Sequence, residues 1–166
     1  MKTKLGNQLE KSADPYSEAE AIALNALAPR ARSRAELHTH LLKRGFDDGI
    51  AHSVLDHLEL QGFLNDLEFA KIWSESRQRQ KKLSKRVIAG ELRTKGVSQD
   101  IIDETIEAID DEAEYQMALD LASKKYRSCS HLEPEVIYRR VHSVLARKGF
   151  DHSTTAKVLR EILQKP

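Results

Sequence analysis

One six-residue pattern occurs three times in this chain of 166 residues. Leu41-Leu42-Lys43-Arg44-Gly45-Phe46, Leu92-Arg93-Thr94-Lys95-Gly96-Val97 and Leu145-Ala146-Arg147-Lys148-Gly149-Phe150 all read leucine, two residues, a base, glycine, apolar. The glycines stand 51 and 53 positions apart, close to the roughly 20–50-residue periods of repeat architectures. Alignment on glycine carries the match further. Eight residues earlier stand Leu37, Ile88 and Val141; ten later, Leu55, Ile106 and Leu159; thirteen later, Leu58, Ile109 and Ile162. Two residues past each glycine sits a helix-capping type, Asp47, Ser98 or Asp151. Each copy therefore reads as a helix closed by a left-handed glycine, an apolar residue turning the chain into the core, and a second helix opened by a cap.

The segments between the copies supply the remaining helices. Ser17 with Glu20 forms a capping box before an alanine-rich run carrying Ile22, Leu24 and Leu27 and stopped by Pro29. Ser33 with Glu36 forms another, opening a helix that stops at Gly45, and the following helix runs from Asp47 to a stop near Gly62. Asn65 caps a helix over about 65–79, with Leu64 and Phe69 placed as a hydrophobic staple, and a further helix is expected over about 111–126. The expected fold is all-α, three tandem three-helix repeats in an elongated, curved arrangement. The expected limits are a flexible arm at 1–13 and modules at 14–79, 80–126 and 127–166. Nine aromatic residues, seven glycines and 32% charged residues disfavour a β-sandwich or a collagen-like chain and suit a strongly solvated helical one.

Net charge of +1 argues neither for nor against a polyanionic partner, so the distribution of charge decides. Residues 77–95 hold eight bases, Arg77, Arg79, Lys81, Lys82, Lys85, Arg86, Arg93 and Lys95, against Glu91 alone. Residues 100–114 then hold eight acids and no base. Equivalent places in the outer copies carry Lys43 and Arg44, then Arg139, Arg140, Arg147 and Lys148. As a set, these bases read as a strip for phosphates or an acidic protein surface. Taken singly, each also suits a solvated face or a helix C-terminus, where positive charge complements the macrodipole.

Catalytic patterns fail one by one. His38 and His40 are two apart, about 200° around a helix at roughly 100° per residue, and share no ligand face. His52 has Asp48 and Asp56 four residues to either side, a possible ligand face, but no second histidine joins them, and a solvated helix surface explains the three as well. The single Cys129 forms no intrachain disulfide and reads as a loop thiol beside His131. The repeated glycines end helices and follow no strand, so they make no phosphate loop. Phe69, Ile72 and Trp73 read as core, and Asp110-Asp111-Glu112 lacks the spacing of a calcium loop. The reading is of a non-enzyme without metal or cofactor, with no apolar stretch of the ~20 residues needed to span a membrane.

At the connector the chain resembles a known family. Gly62-Phe63-Leu64-Asn65-Asp66-Leu67-Glu68-Phe69-Ala70, then Ser76-Arg77, then Val87-Ile88-Ala89-Gly90-Glu91-Leu92-Arg93-Thr94-Lys95-Gly96-Val97 look like the RecX family of bacterial recombination regulators. The likeness returns at Arg139-Arg140-Val141 and Gly149-Phe150. It departs at Leu83-Ser84, where many relatives carry glycine, and at His40, where a base is common. The resemblance implies tandem three-helix repeats, no cofactor, and binding to the RecA recombinase filament with inhibition of its ATPase, strand-exchange and co-protease activities. Single- or double-stranded DNA is a further expected partner, and the expected state is a cytoplasmic monomer. Two alternatives stand beside this: a stand-alone DNA-binding helical regulator, and a helical-repeat adaptor with no nucleic-acid role.

Overall fold

The computed structural model describes residues 14–164, and among these every regular element is helical. The expected N-terminal arm lies outside the described residues. The chain divides into two compact units, Met1–Leu64 and Asn65–Pro166. The first unit holds α1 (Pro15–Leu27), α2 (Arg34–Lys43) and α3 (Asp48–Leu60), each packed on the other two. The second holds α4 (Asp66–Ser76), a π-helical segment (Arg77–Lys81), α5 (Lys85–Thr94), α6 (Gln99–Glu107), α7 (Asp111–Cys129), α8 (Pro134–Lys148) and α9 (His152–Gln164). Within it, α4 packs on α6 and α5, and α7 on α8 and α9. In each trio the first helix, α1, α4 or α7, packs on the pair that carries the repeated pattern. Sequence spacing located the helix pairs but could not say on which side the third helix packs.

The repeated pattern is a Schellman turn in all three copies. Gly45 N–H donates to the Leu42 carbonyl at 2.9 Å and Phe46 N–H to that of Leu41 at 3.3 Å. Gly96 with Val97, and Gly149 with Phe150, repeat both bonds onto Arg93 with Leu92 and Ala146 with Leu145. The reason for each pattern position follows. The leucine sits three residues inside the helix end, where its carbonyl takes the second bond and its side chain meets the apolar residue after glycine. Leu41, Leu92 and Leu145 are all fully buried, and φ is 92°, 74° and 87° at the three glycines, a region that side chains with a Cβ rarely adopt. The aligned Leu37, Ile88 and Val141 are fully buried as well.

Caps match sequence chemistry with two exceptions. The Ser33–Glu36 box forms in both directions, and Asn65 accepts from Glu68 N–H at 3.0 Å. At α1, however, Asp14 is the cap. Pro15 suits the first helical position, which leaves Ser17 inside the first turn, donating its hydroxyl to the Asp14 carboxylate at 3.3 Å. Ser98 occupies its cap position without a side-chain bond. Further corrections concern burial. Cys129 is not in a loop: it ends α7, fully buried in the core of the third trio with Ala118, Ala122 and Ile137. Ile72 is 48% exposed and Trp73 half-buried, so of the three residues expected in the core there only Phe69 lies in it. No described helix is long and apolar enough to cross a membrane.

Candidate functional site

The densest basic stretch begins where α4 loosens into the π-helical segment Arg77–Lys81. Lys82 ends that segment in the left-handed region at φ 54°, and its N–H donates to the Gln78 carbonyl at 3.1 Å. The backbone reversal therefore falls on Lys82, one residue before the Leu83-Ser84 pair, and needs no glycine at either. An αL conformation at a residue with a side chain is held by its surroundings, here by the Lys82 and Leu83 amides donating to the Gln78 and Arg77 carbonyls.

Arg77 does not point outward as a free cation. Its Nε donates to the Glu91 carboxylate at 2.6 Å, and its guanidinium carbon lies 3.8 Å from the Trp73 ring centroid. The same Glu91 oxygen accepts Trp73 Nε1–H at 2.8 Å, and Lys95 Nζ lies 4.8 Å over the same ring. Two bases from the expected strip thus share one acid and one aromatic ring, which ties α4 to α5 through cation–π contact and charge-assisted hydrogen bonding. The one acid within the basic run is the hub of this clasp.

A second set of bases closes the join between the second and third trios. Ser84 N–H donates to the Lys148 carbonyl at 3.0 Å, and Arg86 Nε to the Gly149 carbonyl at 3.2 Å. Lys148 Nζ returns to the Lys81 carbonyl at 2.6 Å. Lys85 N–H donates to Glu114 at 2.7 Å while its Nζ meets Asp111, so the acidic run that follows in sequence folds back on the basic one. Gly149 is buried here, and a Cβ in its place would overlap the side chains of Val87 and Ser84.

The remaining bases face solvent. Arg79, Lys81 and Lys82 are exposed on the π segment and the turn that ends it. Beside them, between this segment and α7, runs a groove of about 800 Å³ lined by the apolar Met117 and Leu121, the bases Arg79, Lys82 and Lys124, and the acids Glu75 and Asp120. Arg93 is exposed and donates to Gln99 at 3.2 Å. Arg139, Arg140 and Arg147 are exposed on α8, the last two seven residues apart and so on one face. Lys43 and Arg44, in the first unit, are exposed and make no side-chain hydrogen bond or ion pair among the described residues. Burial, and then the charges of Arg44, Arg32 and Lys43, hold the His40 imidazole below its usual range, so this end of α2 carries its positive charge on Lys43 and Arg44.

The scaffold is matched by relatives. Residues 15–58, 65–106 and 112–159 match, in order, the first, second and third three-helix domains of RecX. The chain belongs to the RecX family. It is 37% identical over 156 residues to a Regulatory protein RecX of Streptomyces coelicolor, covering 94% of this chain and 83% of the relative. A Regulatory protein RecX of Mycobacterium avium is 38% identical over 143 residues, covering 86% and 83%. The crystal structure of RecX from Lactobacillus salivarius superposes with a TM-score of 0.84 at 21% identity over 92% of this chain and 99% of that one. At that identity the likeness speaks for the fold. As a RecX-family member the protein is a regulator built from three-helix domains.

Off the basic surface, the first unit holds a cluster that spacing along one helix does not reveal. His38, from α2, reaches across to α3 and joins Asp48 and His52. The second histidine is supplied by the neighbouring helix, which corrects the expectation that none joins Asp48 and His52.

Proposed function

We propose that this RecX-family protein is a non-enzymatic regulator that binds the RecA recombinase filament and damps its ATP hydrolysis, strand exchange and co-protease activities. The observation that carries the reading is the division among the bases. Arg77 is met by Glu91, Lys85 by Asp111, Lys95 by the Trp73 ring and Lys148 by the Lys81 carbonyl. Arg79, Lys81 and Lys82 are left exposed on the π segment and the turn that ends it, beside a groove that Lys124 also lines. Such a patch draws phosphates or acidic protein surface, and the family resemblance supplies the recombinase filament and its DNA as the object. Three-helix domains in tandem can touch successive protomers of a polymer, so modest contacts reinforce one another through effective concentration. Bridged protomers resist the motions of ATP turnover, and inhibition then needs no active site or cofactor.

Titration into preformed RecA filaments on single-stranded DNA, with ATP hydrolysis followed, is expected to show inhibition. Saturation near one chain per few protomers supports lining of the filament, and saturation far below that supports capping of its ends. The combined substitution Arg79→Glu, Lys81→Glu, Lys82→Glu is expected to abolish most of the effect while leaving the helical signal intact. Retained inhibition by that variant moves binding off this patch. Active filaments that ignore the wild-type protein overturn the proposal, and tight binding to free duplex in the same experiment favours a stand-alone DNA-binding regulator.

A further inference from the structure

His38, Asp48 and His52 converge from two helices on one point of the first unit. His38 Nε2 lies 2.9 Å from one Asp48 carboxylate oxygen, and His52 Nε2 lies 3.7 Å from the other. The two imidazole rings stand 4.5 Å apart, tilted by 34°. One ligand atom from each residue falls within 4.8 Å of the other two. We propose that these three side chains form a binding site for a divalent transition-metal ion of the zinc class.

The donor set fixes the class of ion. Two imidazole nitrogens with one carboxylate suit Zn²⁺, Co²⁺ or Ni²⁺, whereas Mg²⁺ and Ca²⁺ prefer all-oxygen shells. Metal–ligand bonds of about 2.0–2.2 Å place neighbouring donors roughly 3–4 Å apart, so the observed separations need only small side-chain rotations to close on an ion. Three protein ligands leave a coordination position for water or an incoming group.

Local electrostatics favour a dication. The nearest cation, Arg34, approaches His52 Nδ1 at 3.5 Å, but its guanidinium is held at 2.7 Å by both Asp56 and Glu59. Three carboxylates thus face one guanidinium around the cluster. The positions are also anchored. Asp48 opens α3 and His52 follows one turn later on the same face, while His38 sits beside the fully buried Leu37 on α2. An ion here would clip α2 to α3 across the Gly45 turn. This inference does not depend on the recombinase reading, because it concerns the unit that lacks the Arg79–Lys82 patch.

The test is titration of the full chain with Co²⁺, followed by visible ligand-field absorption, with Zn²⁺ competing for the same site. One Co²⁺ per chain, displaced by Zn²⁺ and not by excess Mg²⁺, is the expected result. His38→Gln and His52→Gln are each expected to weaken binding by about tenfold or more. His57→Gln, on α3 but turned to Glu20 at 3.3 Å, is expected to bind as the wild type does. His52 is 53% exposed, so its substitution leaves the fold intact and keeps the test decisive even where His38→Gln disturbs the helix pair. Absence of saturable Co²⁺ binding overturns the proposal, and so does binding that both His38→Gln and His52→Gln leave unchanged.

Discussion

The turns that close α2 and α8 are written in nearly the same six residues and serve different ends. Both place a leucine carbonyl, a base and a left-handed glycine in one Schellman geometry. At Gly45 the space a Cβ would fill is empty, and Lys43 and Arg44 project into solvent. At Gly149 the same space is filled by Val87 and Ser84, and Lys148 is drawn back to the Lys81 carbonyl. A pattern that sets local backbone thus leaves open what the turn touches. In the first unit it displays charge, and in the second it docks one trio on the next.

Gly149→Ala is the largest way to break this contrast. A left-handed non-glycine residue costs roughly 1–2 kcal/mol. Overpacking against Val87 and Ser84 adds about 1–3 kcal/mol. Gly45→Ala meets only the first cost. Urea unfolding monitored by the helical signal is expected to show the alanine at 149 losing at least about 1 kcal/mol more than the alanine at 45. Equal losses would mean that the Gly149 cradle relaxes freely and that the docking is loose.

Much of this was legible along the chain, for definite reasons. The Schellman turn is local, so leucine, base, glycine and apolar residue could be read with their helices, and Leu41, Leu92 and Leu145 are buried where the pattern places them. Caps at Ser33 and Asn65 are local too, and they form. What escaped depends on pairs distant in sequence. Glu91 reads as a lone acid in a basic run until Trp73 of α4 and Arg77 of the π segment arrive beside it. Lys85 reads as one of eight bases until Asp111 and Glu114 fold onto it. Within residues 77–95 charge density was visible, but which charges were already matched was not. His38 and His52, separated by a turn and on different helices, fall to the same limit.

The charged contacts at the two turns offer a smaller contrast. Arg86→Ala removes the donor to the Gly149 carbonyl, a part-buried hydrogen bond worth about 0.5–1.5 kcal/mol. Arg44→Ala removes a solvated side chain and is expected to stay within about 0.5 kcal/mol of the wild type. Hydrogen exchange at the Ser84 amide, which donates to the Lys148 carbonyl, sharpens the same point. Arg86→Ala should accelerate that exchange, and Arg44→Ala should not.

The caps that follow the two glycines give the finest test. Asp151 accepts Thr154 N–H at 2.7 Å, and this backbone hydrogen bond is the main reason its carboxyl is held below the usual carboxylate range. The sign follows directly. A carboxylate with a lowered folded-state pKa contributes stability at neutral pH, and that contribution disappears as pH falls through the folded-state value. Asp151→Ala is expected to lose about 1 kcal/mol at neutral pH. Asp151→Asn keeps an acceptor for the Thr154 amide, so it should lose less at neutral pH and converge on the wild type in acid. If Asp151→Asn instead tracks Asp151→Ala at every pH, the charge on Asp151, acting on the start of α9 as a whole, matters more than the single bond to Thr154.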